Sequence, residues 1–190
     1  MARSFTRGRA GLAARLDDDE REVLHRLMTD VAGMLDQARP VAADPLEELV
    51  GITEGAVLPD DPALARLLPD ASRDDDEAAA EFRRLTERGL RHRKHDALTT
   101  AVATLERTAG SADLVLTEQE ATAWLTALND VRLVLAERLG VRTDEDAERV
   151  AVRAALLPAD DPLAWLASVY DFLTWLQESL VQALTSAPRR

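Results

Sequence analysis

Few residues in this chain could serve a reaction or a metal ion, and the histidines are the first to consider. There are three of them, His25, His92 and His95, and the chain has no cysteine. His92 and His95 are three residues apart in a predicted helix, a spacing that suits two ligands of one zinc ion. The cations within Arg91–Lys94 would repel a metal, so we expect surface histidines and no metal site.

Two acidic runs, Asp17–Glu20 and Asp74–Glu77, raise the question of a magnesium site. Both lie at predicted helix starts, where carboxylates interact favourably with the positive end of the helix dipole. Consecutive helical residues also point away from one another instead of converging on one ion. The sequence has no phosphate-binding loop and no HExxH or GxSxG motif. We therefore predict no enzyme activity, no catalytic residue and no cofactor.

A cluster of cations is the most informative charged feature. Arg84, Arg88, Arg91 and His95 share one face of a predicted helix. Like charges at this spacing repel unless a partner compensates them. Either the acids of residues 44–81 pair with them inside the molecule, or the face binds phosphate or an acidic protein. The candidate interaction residues are Arg83, Arg84, Arg88, Arg91 and Lys94.

Charge is strongly segregated along the 190 residues, which carry a net charge of −12. Residues 1–15 and 83–95 are basic, whereas residues 16–82 and 96–190 are acidic. An acidic protein repels nucleic acid at long range, so any DNA contact must use the two basic segments. The N-terminus lacks the apolar segment of a secretory signal, and no apolar run is long enough to span a membrane. We expect a cytoplasmic protein without disulfides.

Hydrophobic periodicity and capping residues predict a mainly helical chain. The first part begins with a basic arm over residues 1–16, in which residues 5–16 form a hairpin. A helix follows that begins after Asp17 and ends before Pro40. A loop-rich acidic segment follows over residues 39–62, with short helices at 45–50 and 62–69. The next helix is long, spans about 74–108, and either bends near Gly89 or packs its two halves against different neighbours.

The second part begins with a short strand at 114–116. Three helices follow it, at about 117–140, 143–157 and 161–185. The segment 16–35 aligns without gaps with 116–135. This similarity reflects either two helices of like composition or two related strand–helix units whose strands pair. We predict an all-α fold, a single domain of five to seven helices over residues 1–190, with a small β-hairpin or strand element at the N-terminus.

The last predicted helix is apolar nearly all round, which is typical of a central core helix or of a subunit interface. We predict a homodimer formed through this helix. The candidate interface residues are Trp165, Tyr170, Phe172, Trp175 and Leu176. In the predicted helix 117–140, Arg132 borders the apolar stripe, and we expect a partly buried arginine with a hydrogen-bonded head.

Three blocks of the chain resemble a known family. They are DPALARLLPDASRDDDEAAAEFRRLTERGLRHRK at Asp61–Lys94, WLTALNDVRLVLAERLGV at Trp124–Val141 and YDFLTWLQESLVQAL at Tyr170–Leu184. Together they are similar to an actinobacterial helical family, long classed as a domain of unknown function and now named for an actinomycete oxidative-stress regulator (AosR-like). The blocks follow the family's order and span most of the chain.

The resemblance implies a transcriptional regulator that works with an alternative sigma factor at cysteine-biosynthesis genes and senses oxidation through a CxxxC pair. This chain has no cysteine, so thiol switching within it is excluded. Two hypotheses follow. The protein is a regulator that contacts a sigma factor and touches DNA through Arg84, Arg88, Arg91 and the N-terminal arm. Alternatively, it is a homodimeric adaptor without DNA binding, whose basic face binds an acidic protein.

Overall fold

Residues 2–8, 11–37, 61–69 and 76–186 are described by the computed structural model, without the side chains of residues 37, 76–79 and 84. Most of the predicted loop segment 39–62, including the short helix at 45–50, lies outside these residues. The described part contains six helices and three strands. This architecture confirms the prediction of a helical fold with a small β element near the N-terminus.

The three strands form one antiparallel sheet in the order β1-β2-β3. They are β1 (Arg3–Gly8), β2 (Gly11–Arg15) and β3 (Asp113–Leu116). Leu12 of β2 lies opposite Leu116 of β3, and Ala14 lies opposite Leu114. Strand β2 precedes the helix in segment 16–35, and β3 precedes the similar helix in segment 116–135. Their pairing agrees with one of the two interpretations of this similarity, that of two related strand–helix units whose strands pair. Leu12, Ala14, Leu114 and Leu116 all point into the core, since alternate residues share a face.

The tight approach of β2 to β3 depends on a glycine. Gly11 has a φ angle of +128°, which L side chains rarely adopt. A Cβ atom at this position would lie 2.3 Å from the backbone oxygen of Leu116. Glycine is therefore required here by both the backbone conformation and the space available.

Local capping chemistry sets the ends of most helices. The helices are α1 (Asp18–Gln37), α2 (Pro62–Leu67), α3 (Asp76–Arg107), α4 (Glu118–Leu139), α5 (Asp144–Ala154) and α6 (Pro162–Thr185). Capping boxes begin α4 at Thr117 and α5 at Thr143, and the left-handed Gly140 ends α4. Helix α5 ends three residues earlier than predicted and continues as a turn, because the residue before Pro158 disfavours helical geometry.

Helix α4 is the centre of the core and contacts α1, α2, α3, α6 and the sheet. Its Trp124 is fully buried, and the indole N–H donates to the Thr104 hydroxyl of α3 at 2.6 Å. The ring of Phe5 from β1 meets Trp124 edge-on, with 6.2 Å between ring centroids. One aromatic side chain thus joins the sheet to two helices.

The remaining helices differ in how deeply they are packed. Helix α3 is continuous through Gly89, with a well-packed second half that includes the buried Leu98 and Leu105. Phe82 and Leu85 in its first half are exposed. Helix α5 has no buried residue and is attached through a small apolar cluster with the end of α4 and the start of α6.

Candidate functional site

The cations of α3 are held largely by interactions within the molecule. Arg91 is buried, and its guanidinium donates to Glu87 Oε1 at 2.5 Å and to the Leu35 carbonyl of α1 at 2.8 Å. This side chain joins α3 to α1, and its burial removes it from any surface that DNA could reach. One of the two alternatives predicted a carboxylate partner among residues 44–81, whereas the described carboxylate partner of Arg91 is Glu87, one turn away in α3.

Lys94 has the same kind of role on the side of α3 that faces α4. Its ammonium group lies 2.5 Å from Asp130 Oδ1, and Asp130 is completely inaccessible to solvent. Burial raises the pKa of the Asp130 carboxyl, and the bond to Lys94 acts against this rise. The second carboxylate oxygen has no hydrogen-bond partner in the described part of the chain. Lys94 is therefore a structural partner of a buried acid in this conformation.

The other basic positions of α3 divide into paired and exposed side chains. Arg83 and Arg88 each take part in an interaction, so neither is a free cation. The side chain of Arg84 lies outside the described residues. Arg93 is exposed to solvent. The five candidate interaction residues therefore do not form one open cationic face.

The histidines of α3 bind separate carboxylates. His95 lies 3.1 Å from Asp36 of α1, and His92 lies 3.2 Å from Asp96 in the next turn of α3. Within residues 2–8, 11–37, 61–69 and 76–186, no three histidine or acidic side chains gather closely enough to hold a metal ion. The ring nitrogens therefore serve as surface hydrogen-bonding groups here.

The basic N-terminal arm is integrated into the fold. Arg7 donates to the Ala183 and Leu184 carbonyls near the C-terminal end of α6, at 3.2 and 3.1 Å, and pairs with Glu118 at 2.7 Å. A cation at this position also interacts favourably with the negative end of the helix dipole. Arg15 pairs with Asp113 of β3 at 3.2 Å. Both side chains thus stabilise the sheet and its neighbours.

Helix α6 has a core side and an exposed aromatic side. Leu176 is fully buried in the core, and Tyr170 packs under the guanidinium of Arg132, so neither belongs to the exposed side. Trp165 and Trp175 are 49% and 38% exposed. Phe172 is partly buried against the core and stacks on Trp175, with 6.2 Å between ring centroids. We call the set Trp165, Phe172 and Trp175 the aromatic face.

A cleft beside α6 contains a second functional candidate, which the periodicity of the sequence did not reveal. Arg132 of α4 donates to the Thr174 hydroxyl at 3.0 Å and to Gln177 Oε1 at 2.6 Å. Its guanidinium carbon lies 5.4 Å from the centre of the Tyr170 ring. The expected hydrogen-bonded head is thus present, but its protein partners are uncharged. Because the cleft combines residues from four helices, no local motif could have predicted it.

No helix in the described ranges is long and apolar enough to cross a membrane.

Comparisons with known proteins give a consistent result. A family model described as "Domain of unknown function (DUF2017)" matches residues 2–184. The oxidative stress regulator AosR of Mycobacterium tuberculosis is 37% identical over 180 residues, which cover 87% of this chain and 78% of that protein. The putative oxidative stress regulator AosR of Mycobacterium leprae is 38% identical over 178 residues, 85% of this chain and 77% of that protein. No solved structure matches the chain. These similarities confirm the family resemblance.

Proposed function

Because this chain belongs to the DUF2017 family, we propose that it is a regulator in the response to oxidative stress that acts by binding other proteins. Relatives in mycobacteria are named oxidative stress regulators, which supports a regulatory and non-enzymatic role. The chain has no cysteine, so no thiol within it senses the oxidant. The protein then acts constitutively, or its regulatory signal arrives through a partner or a bound ligand.

The aromatic face of α6 carries this proposal. Two of the three tryptophans in the chain are substantially exposed there, although tryptophan is costly to leave in water. Tryptophan is also the residue type most enriched among the energetic centres of protein interfaces. Strand β1 packs against the C-terminal half of α6, where the Phe5 N–H donates to the Ser179 hydroxyl one turn beyond Trp175. The two tryptophans before this contact remain accessible to a partner.

We assign a second copy of the chain to this face. Trp165 and Trp175 are ten residues apart, about 15 Å along the helix axis. In an antiparallel two-fold pair centred near residue 170, Trp165 of one copy lies opposite Trp175 of the other. The same geometry places Phe172 opposite the small Ser168. This self-complementarity is what a two-fold interface requires.

The family resemblance adds a sigma factor as the regulated partner and DNA as a further contact. The burial of Arg91 and the pairing of Lys94 argue against α3 as a DNA-binding face. The net charge of −12 also disfavours association with phosphate. We therefore propose that the dimer binds the sigma factor, and we favour this target over DNA.

Light scattering coupled to gel filtration tests the dimer. We expect a mass about twice the 20.8 kDa of one chain, and a monomer for Trp165→Glu/Trp175→Glu with unchanged circular dichroism. The control is Val152→Glu/Leu156→Glu, which places the same charges on apolar side chains of α5 and its following turn that are 66% and 83% exposed. A monomeric wild type, or equal dissociation of both variants, would contradict the assignment.

Fluorescence anisotropy tests the choice between protein and DNA. Labelled promoter DNA is titrated at about 50 and about 200 mM salt, with and without the sigma factor, against wild type and Arg88→Glu/Arg93→Glu. We expect the sigma factor to bind the wild-type dimer and the DNA not to bind the protein alone. Salt-sensitive DNA binding that the double substitution abolishes would instead establish α3 as a DNA-binding face. Each phosphate contact adds about −0.9 to the slope of the logarithm of the binding constant against the logarithm of the salt concentration.

A further inference from the structure

The cleft beside Arg132 has the chemistry of a site for a small anion. It is lined by residues of α2, α4, α6 and the start of α5, and has a volume of about 200 Å³. That space holds about six water molecules, or one phosphate or short dicarboxylate. Arg66, Arg132, Arg142 and Tyr170 all line it. Three arginines thus line one small cleft in a protein that is acidic overall.

Of the three arginines in the lining, Arg132 is the one without a carboxylate partner among the described residues. Its two hydrogen-bond acceptors, Thr174 and Gln177, are neutral. The group is partly buried, where an uncompensated charge is costly. Planar guanidinium groups bind carboxylates and phosphates through paired hydrogen bonds. The Nη2 atom of Arg132 makes no hydrogen bond within the described part and is available for such a ligand.

The other two arginines share a single acid. Glu137 accepts from Arg142 at 3.0 Å and from Arg66 at 3.3 Å. Glu137 lies outside the lining of the cleft, and Asp144 is the one carboxylate among the described lining residues. Counting both acids against the three arginines leaves one positive charge uncompensated.

We propose that this cleft binds a small oxyanion, a carboxylate or a phosphate group, through the guanidinium of Arg132 with Arg142 at the rim. The apolar parts of Leu133 and Ala136 in the lining leave room for a short carbon chain. The site does not depend on the aromatic face or on the proposed dimer. It supplies the cysteine-free chain with a place where a metabolite-sized effector binds.

The chain itself offers a reporter, because Tyr170 is its one tyrosine. Incorporation of 3-fluorotyrosine places a single fluorine label against Arg132, and fluorine NMR then follows that label alone. Sodium phosphate and sodium succinate are titrated separately at constant ionic strength, with sodium chloride as the reference. We expect a saturable shift of the single resonance with at least one of the two oxyanions. Which salt produces the shift distinguishes a phosphate site from a carboxylate site.

Three substitutions complete the test. Arg132→Gln should weaken oxyanion binding by at least about tenfold, the loss expected for one hydrogen bond between charged groups. Arg142→Gln, at a side chain that is 72% exposed, should weaken it less and leave the fold unchanged. Arg153→Gln, an exposed position in the last turn of α5, removes the same charge elsewhere and should not change binding.

Two outcomes would overturn the proposal. In the first, phosphate and succinate produce no more shift than chloride does. In the second, Arg142→Gln and Arg153→Gln reduce binding equally, which would identify a general effect of net charge.

Discussion

The ion pair of Lys94 with Asp130 allows a direct test of whether this cation is structural. Asp130 is fully buried, and its one described hydrogen bond to a charged group comes from the Lys94 ammonium at 2.5 Å. Lys94→Met keeps most of the side-chain volume but leaves the carboxylate without its counter-charge. Loss of one partner of a buried pair costs about 3–5 kcal/mol. In a chain of this length, that cost lowers the melting temperature by about 6–20 °C.

The pH dependence of this cost separates electrostatics from packing. Burial raises the pKa of Asp130, and loss of Lys94 should raise it further. Because the folded carboxyl then binds a proton more readily than the unfolded one, lowering the pH stabilises the folded variant relative to its unfolded state. The difference in unfolding free energy between wild type and Lys94→Met should therefore be largest at about pH 7.5 and smaller at about pH 5.

Urea denaturation followed by circular dichroism at both pH values measures these free energies. Arg26→Met is the control, since Arg26 and Asp30 form an exposed pair at 4.0 Å that should contribute less than about 1 kcal/mol. Lys94→Met/Asp130→Asn should recover much of the lost stability, because no buried charge remains without a partner. A cost that is independent of pH, or as small as that of the control, would refute the reasoning and return Lys94 to the candidate interaction residues.

Two further predictions concern the sheet and α5, and urea denaturation tests both. Gly11→Ala should lower the free energy of unfolding by at least about 2 kcal/mol through backbone strain and overlap with β3. The control Gly33→Ala, in an open part of α1, should be neutral or stabilising. Equal effects of the two substitutions would contradict the role of Gly11. Asp146 has a pKa lowered to about 2, first by the Arg142 backbone N–H and then by the Arg149 side chain. Because its pKa is depressed, its contribution is present above the unfolded pKa of 3.8 and lost as the pH falls towards about 2. The deficit of Asp146→Asn relative to wild type should shrink over that range, and a constant deficit would show that the charge of Asp146 is unimportant.

Helix boundaries were the most predictable part of the structure. Thr117 and Thr143 begin their helices as predicted, and Gly140 ends α4 in the left-handed conformation. Asp161 caps α6, with Pro162 in the first turn. These features are set by residues within one turn of the helix end, so the sequence contains all the necessary information. The prediction of a strand at 114–116 was also correct. Its pairing with a strand of the N-terminal hairpin was one of two alternatives that the sequence left open.

Side-chain roles were less predictable, because they depend on residues distant in the chain. The spacing of Arg88, Arg91 and His95 correctly placed them on one side of a helix, but it did not reveal that α1 covers Arg91 and His95. Leu176 was assigned to an interface on the apolar character of α6, whereas it lies on the core side of that helix. Periodicity defines faces relative to a helix's own axis and does not identify the neighbour of each face.

The sequence by itself determined the helical class, the helix ends and the exclusion of thiol chemistry within these 190 residues. These properties follow from composition and from contacts within a few residues. The tertiary structure alone decided which charged and aromatic side chains are available to a partner. Arg91 meets the Leu35 carbonyl 56 residues away, and Lys94 meets Asp130 36 residues away. Only the packing of α1, α3 and α4 brings these groups together, and the packing of α6 against α4 and β1 leaves Trp165 and Trp175 partly exposed.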